Sequence, residues 1–150
     1  MSYSLVDLPA MMIVGKQIRT NNKECIEPMT ALWTEMFKEN HFSAIPNVIN
    51  PATALGVYTD YTPDFKVETD DYSYTTGMQV AQEGVLPEEM VLKHIPGGQY
   101  AVFTCAPDQI GATWQQIWQT PLKRTFVADF EVYELPEIKE VQIYIGIDPS

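Results

Sequence analysis

The sequence contains few of the residues that build metal and redox sites, with two cysteines and two histidines among 150 residues. Cys25 and Cys105 lie eighty positions apart, and neither belongs to a Cys-x-x-Cys pair or a Cys/His cluster. This spacing favours two reduced, structural thiols over a disulfide. His41 and His94 have no partner at metal-ligand spacing. The sequence therefore predicts no metal site and no cofactor.

Basic residues are also scarce, because nine lysines and arginines stand against twenty acidic residues and the formal net charge is −11. This charge repels phosphate backbones and anionic lipids, and it raises the local concentration of cations. We therefore expect no nucleic-acid partner and no membrane partner. A basic protein partner for the acidic surface stays open, and so does a homodimer.

Long hydrophobic runs are absent. The apolar stretch 8–14 is too short to span a bilayer or to form the core of a signal peptide, and no basic segment precedes it. These features predict a cytoplasmic protein. A hydrophobic fraction of 45% with 11% aromatic residues is ordinary for a globular chain, so residues 1–150 are expected to form a single domain.

The pattern of apolar residues predicts two similar halves, at about 1–82 and 88–150. In the first half, a strand at 10–19 precedes a helix at 27–40 and strands at 54–61 and 71–81. In the second half, a short lead-in strand at 90–95 and a hairpin around 96–98 precede the same order of elements. These are a strand at 99–106, a helix that ends at Pro121, and strands at 129–133 and 141–147.

A duplicated β-α-β-β unit predicts an α+β fold with pseudo-twofold symmetry. The strands form an antiparallel sheet, the two helices lie on one side of it, and a ligand cleft follows the axis. The alignment of the halves places Tyr58 opposite Glu131. Asp60 lies one alternation further along the same strand, so an acid pair with Glu131 is a weaker alternative.

Packing of the helices predicts which strand residues face the cleft. The helix stripes carry large aromatic side chains, which are Trp33, Phe37, Trp114 and Trp118. Since these must pack on the sheet, we expect one set of strand residues beneath the helices, namely Phe130, Val132, Ile143, Ile145 and Ile147. The alternating residues Glu131, Tyr133 and Tyr144 then share the cleft side. By alternation alone, Glu131 also fits a solvated position on an outer face.

Four segments occur in a fixed order between residues 8 and 147. They are Leu8-Pro9-Ala10 before a strand that reaches Gly15, the strand from Pro96 to Phe103, the box Phe130-Glu131-Val132-Tyr133, and the closing strand 140–147. Together they resemble the GyrI-like family, also called the AraC-type effector-binding domain. In particular the chain is similar to the small integron cassette proteins of this family that bind cationic drugs. The resemblance implies one stand-alone small-molecule-binding domain.

The resemblance also implies a cleft lined by aromatic rings with one acid at its floor, which binds hydrophobic cations. Glu131 matches the position of that acid in the family's box. The candidate ligand-binding residues are Glu131, Tyr133, Tyr144, Tyr58, Trp114 and Phe103. The turn at 120–124 is shorter than the family's usual turn after the second helix. A carboxylate among rings has a raised pKa when the cleft is empty, and a bound cation favours its ionised form.

Two alternatives to cation binding remain at this point. Some relatives hydrolyse small electrophiles with two carboxylates, which would require Glu131 and a second acid such as Asp60. The chain has no nucleophile elbow, phosphate loop or zinc motif, so the sequence leaves enzymatic activity uncertain and favours a binding role. The other alternative is an acidic inhibitor that occupies a basic protein such as a topoisomerase.

Overall fold

Eight strands and two α-helices make up the computed structural model, which describes residues 2–149. In chain order the elements are β1 Ser4–Leu8, β2 Met11–Asn21, α1 Ile26–Lys38, β3 Thr53–Thr59, β4 Asp71–Val80, β5 Met90–Ile95, β6 Gly98–Cys105, α2 Ile110–Gln119, β7 Arg124–Glu134 and β8 Val141–Ile147. Short 3₁₀ turns occupy His41–Ala44 and Pro107–Gln109. No helix among these residues is long and apolar enough to cross a membrane.

The predicted fold class is confirmed, with one antiparallel sheet and both helices packed on the same face. Two elements differ from the prediction. β1 was not predicted, because it is a five-residue edge strand whose residues are mostly exposed. β7 begins at Arg124 rather than 129, and a register shift between Arg124 and Asp129 breaks its alternation. Phe126, inside that irregular stretch, has a φ of 53°.

The strand order across the sheet is β1-β6-β8-β7-β3-β4-β2-β5. Exchanging β1 with β5, β2 with β6, β3 with β7 and β4 with β8 gives the same order read from the other edge. The centre of this symmetry is the β3–β7 pair, where Val57 lies opposite Phe130. On either side of this axis, Gly56 pairs with Glu131 and Tyr58 pairs with Asp129. The symmetry therefore makes Tyr58 the counterpart of Glu131, and Gly56 the counterpart of Asp129.

The lead-in strands exchange partners between the halves, since β1 pairs with β6 and β5 pairs with β2. The linkers 9–10 and 96–97 each connect one edge of the sheet to the next-to-last strand at the other edge. In a flat sheet these strands would lie several strand widths apart, farther than two residues can reach. The sheet must therefore curl until its two ends meet. The linkers cross in contact at Gly97, where a Cβ would lie 2.8 Å from the Ala10 nitrogen and 3.0 Å from the Leu8 oxygen.

The curled sheet buries both of its faces. Beneath the helices, Leu32 and Ile117 pack with Ile143 and Ile145, and Ile147 contacts the same cluster, as predicted. The face away from the helices forms a second core, whose members include Ile13, Leu55, Val57, Tyr100 and Phe130, with Val132 and Tyr144 packed against it.

The expectation that Phe130 and Val132 lie beneath the helices is therefore wrong. Glu131, which pairs with Ile143, and Tyr133 lie on the helix side instead of the opposite face. The expectation that Tyr144 shares a face with Glu131 is wrong as well. Tyr144 stacks on Phe130 across the sheet from the helices, with ring centroids 4.6 Å apart and planes 10° apart. When both faces of a strand are buried, apolar alternation does not reveal which face the helices cover.

Candidate ligand-binding site

A cavity of about 710 Å³ lies between the two helices and the sheet. Its walls come from α1, α2, the central strands and the segments that follow them, and most lining side chains are aromatic or apolar. They include Met29, Trp33, Phe37, Tyr58, Tyr61, Phe65, Tyr72, Tyr74, Ile110, Trp114, Trp118, Arg124, Glu131 and Tyr133. The volume lies in the range of pockets that take drug-sized molecules.

Glu131 projects from β7 toward this cavity and is 2% exposed. It fits there because its neighbour on β3 is a glycine. A Cβ on Gly56 would lie 2.2 Å from the Tyr74 hydroxyl oxygen and 3.0 Å from Glu131 Oε1. A side chain at position 56 would therefore occupy the space that Glu131 and Tyr74 share.

Four neutral donors surround the Glu131 carboxylate. The Tyr58 hydroxyl and the Trp114 indole N–H donate to Oε2, at 2.8 and 2.7 Å. Tyr133 donates to Oε1 at 2.7 Å, and Tyr74 lies at the limit of hydrogen bonding to the same oxygen, at 3.5 Å. In turn, the Trp33 indole N–H donates to the Tyr74 hydroxyl at 2.7 Å. Both helices are thereby linked to the same carboxylate.

Burial raises the pKa of Glu131 above its ordinary value, and the hydrogen bonds from its neighbours oppose that rise without cancelling it. The pKa values of Tyr58 and Tyr74 are raised well above normal, chiefly by burial and then by the nearby Glu131 charge. These hydroxyls therefore remain protonated donors at any ordinary pH. Among the residues that the structure describes, no ion pair involves Glu131.

A second buried carboxylate, Asp129, lies two residues earlier on β7 and has different surroundings. The Arg124 Nη2 donates to Asp129 Oδ2 at 2.8 Å, and the Tyr61 hydroxyl donates to the same oxygen. The Gly146 amide donates to Oδ1 at 2.9 Å. The side chain of Asp129 is fully buried and that of Arg124 is 8% exposed, so the pair is a buried ion pair beside the cavity.

The structure brings together four of the six predicted residues, since Glu131, Tyr133, Tyr58 and Trp114 form one hydrogen-bonded group at the cavity wall. The other two lie elsewhere. Phe103 packs in the core on the helix side and does not line the cavity. Tyr144 lies on the opposite face of the sheet, as described above.

Several lining residues were not proposed from the sequence. Tyr72 and Tyr74 on β4, Tyr61 after β3, and Arg124 at the start of β7 all line the cavity. Tyr72 and Tyr74 were recognisable as one face of a strand, but only the pairing of β4 with β3 brings that face beside Glu131. Trp33, Phe37 and Trp118, which were expected to pack on the sheet, also line the cavity.

Asp60, the second acid of the hydrolase alternative, does not reach the cavity. Its carboxylate forms an ion pair with Lys93 at 2.6 Å, and this interaction lowers the pKa of Asp60. The alternative in which Asp60 forms an acid pair with Glu131 is therefore wrong. The reason is local, because Asp60 follows the end of β3 with a φ of 50° and leaves the alternation of the strand.

A model of the family described as integron-associated effector binding protein matches residues 4–147. The chain belongs to this family. The resemblance found in the sequence is confirmed, and the protein is by family an effector-binding protein. No curated protein sequence matches the chain.

Solved structures share the fold of this effector-binding protein over nearly the whole chain. An integron cassette protein from the mobile metagenome of Vibrio cholerae is 24% identical, with a TM-score of 0.72 over 97% of this chain and 95% of the other. SAV2435, solved with bound tetraphenylphosphonium, is 14% identical, with a TM-score of 0.80 over 99% and 95%. A putative transcription regulation protein from Staphylococcus aureus is 15% identical, with a TM-score of 0.75 over 99% of each chain.

Proposed function

We propose that this protein binds small hydrophobic cations in the cavity between its helices, with Glu131 as the charge that anchors them. One observation supports this proposal above all others. Glu131 is a buried carboxylate whose hydrogen-bond donors are all neutral, and it stands in a wall of aromatic rings. A buried charge of this kind lacks a counter-ion, and a cationic ligand would supply one.

The aromatic walls favour the same class of ligand. Rings attract a cation through their faces, by about 0.5 to 2 kcal/mol for each well-placed ring. They also offer apolar area to the hydrophobic part of the molecule without requiring a single shape. We therefore expect several delocalised or lipophilic cations to bind, rather than one. The tetraphenylphosphonium bound to SAV2435 is a lipophilic cation, which supports this choice for a protein of the same fold.

Fluorescence titration with the cationic dye rhodamine 6G tests this proposal. In Glu131→Gln the side chain keeps its size and loses its charge, so we expect the dye to bind at least about tenfold more weakly, which corresponds to about 1.4 kcal/mol. Glu137→Gln is the matched control, since Glu137 is exposed and does not line the cavity. It removes the same charge from the protein and should leave the affinity unchanged. Equal affinity of Glu131→Gln and the parent protein would overturn the proposal.

A further inference from the structure

Arg124 is a second charged group in the wall of the same cavity, and cation binding does not account for it. Its guanidinium carbon lies 4.3 Å from the centre of the Phe126 ring and 5.9 Å from that of Trp114. Stacking against rings and the ion pair with Asp129 hold the guanidinium in place.

The charge of Arg124 is already neutralised. Its Nη2 bonds to Asp129, whose other partners are the neutral groups Tyr61 and the Gly146 amide. An anionic ligand group would therefore approach a neutral pair rather than a free cation, and it would lie near the carboxylates of Asp129 and Glu131. An anionic group would lose its hydration on entering the cavity, and its attraction to the neutral pair would offset little of that cost. This wall is thus unsuited to a carboxylate.

Most donors of Arg124 nevertheless have no acceptor within residues 2–149. A guanidinium carries five N–H donors in a fixed plane, and only Nη2 makes a hydrogen bond here, to Asp129. Nε has no acceptor among these residues but is fully buried, so a ligand does not reach it. Nη1 also has no acceptor among them and is not fully buried, and the side chain lines the cavity, so a bound molecule can bring an acceptor to Nη1.

Trp114 connects this donor to the proposed cation anchor. Its indole N–H bonds to Glu131 Oε2 at 2.7 Å, while its ring lies beside the Arg124 guanidinium. A ligand that contacts this indole therefore has Glu131 within reach on one side and Arg124 on the other.

From this arrangement we infer that the cavity selects cations that also carry a neutral hydrogen-bond acceptor, such as an ester carbonyl, and that Arg124 determines this specificity. The inference rests on the proposed function, because Glu131 holds the cationic part of the same molecule. The acceptor group then distinguishes one hydrophobic cation from another.

Three probes separate the contributions. Tetramethylrhodamine methyl ester has a delocalised cation and an ester carbonyl, its free acid carries a carboxylate instead, and tetraphenylphosphonium has no acceptor. We expect the parent protein to bind the methyl ester more tightly than the free acid. Arg124→Lys keeps a positive charge beside Asp129 but lacks the planar donors. It should weaken methyl ester binding about tenfold and change tetraphenylphosphonium binding by less than about twofold.

The outcomes distinguish the two proposals. Equal effects of Arg124→Lys on both cations, or no effect on the ester, would overturn the role of Arg124 and leave the role of Glu131 standing. If Glu131→Gln binds both cations as the parent does, the proposed function itself fails. Should Arg124→Lys lower the melting temperature too far for titration, the double variant Arg124→Gln/Asp129→Asn replaces the pair by two amides. The same difference between the two cations is expected for it, and its absence would equally overturn the inference.

Discussion

Two buried carboxylates stand two residues apart on β7, and their surroundings differ. Asp129 has a guanidinium partner, a tyrosine hydroxyl and a backbone amide, whereas Glu131 has only neutral donors. Both are almost completely removed from water. Burial alone therefore does not distinguish an acid that binds a ligand from one that stabilises the fold. Glu131 lacks a counter-ion, and a cationic ligand would supply one.

The largest difference between the two acids should appear on removing Asp129. Asp129→Ala leaves the buried charge of Arg124 without a partner, so we expect the free energy of unfolding to fall by about 3 to 5 kcal/mol. Urea denaturation measures this loss. Glu131→Gln should cost much less, because it strands no opposite charge. Similar losses for the two variants would contradict the distinction between the acids.

Gly56 offers a test of the space around Glu131. In Gly56→Ala the added methyl group would collide with the Tyr74 hydroxyl and approach Glu131, so we expect a loss of about 1 to 3 kcal/mol in stability and weaker dye binding. Gly111→Ala is the control, because a Cβ there meets nothing within 4 Å and alanine favours the helix. It should stabilise the protein by up to about 1 kcal/mol. If both substitutions have the same effect, Gly56 is not required for the packing of the site.

The pH dependence of stability tests the state of Glu131. The ordinary pKa of a glutamate is 4.5, and burial raises the pKa of Glu131 in the folded protein. Between the two values the folded chain holds a proton that the unfolded chain has lost. The free energy of unfolding therefore falls as the pH rises through that interval, by at most about 1.4 kcal/mol per pH unit.

Glu131→Gln lacks this titration and serves as the reference. The stability of the parent relative to this variant should be highest in acid, should fall as the pH rises above 4.5, and should level off above the raised pKa. Paired urea denaturation curves at several pH values give this difference. A difference that stays constant with pH would show that burial does not perturb Glu131.

The smallest predicted effect is the difference in dye affinity between Tyr58→Phe and Tyr144→Phe. Tyr58→Phe removes a donor to Glu131, which raises the pKa of the carboxyl further, so a cation must displace a proton from a larger fraction of molecules. We expect dye affinity at neutral pH to fall about threefold, within the range of one hydrogen bond. Tyr144→Phe, on the other face, should leave the affinity unchanged. A larger loss for Tyr144→Phe would contradict the position of the site on the helix side.

The fold was largely predictable from sequence because its units are local. Helix stripes such as the one around Trp33, and the strand alternation of 71–81, each arise within a short segment. β1 was not predicted, because its pairing with β6 depends on residues nearly a hundred positions away. The core on the face away from the helices was not predicted either, since the curl of the sheet depends on the crossing of two linkers at Gly97.

The site was predictable in part. Glu131 was proposed because it matches the acid of the family's box, and Tyr58 because the duplication relates its strand to that of Glu131. Tyr133 was proposed because it lies two residues after Glu131 and shares its face of the strand. Tyr144 was misassigned because the apolar residues on both faces of its strand look alike. No sequence pattern predicts that Arg124 lines the cavity, since its ion pair with Asp129 depends on the irregular start of β7.

Isothermal titration of the parent protein and Glu131→Gln with tetraphenylphosphonium measures whether Glu131 anchors a bound cation. We expect the parent to bind the cation and the variant to bind it at least about tenfold more weakly. When the pH lies below the raised pKa of Glu131, the parent should also release a proton on binding, whereas the variant should release none. Titrations in two buffers of different ionisation enthalpy measure this release. Equal affinity of the two proteins would show that Glu131 does not anchor the cation.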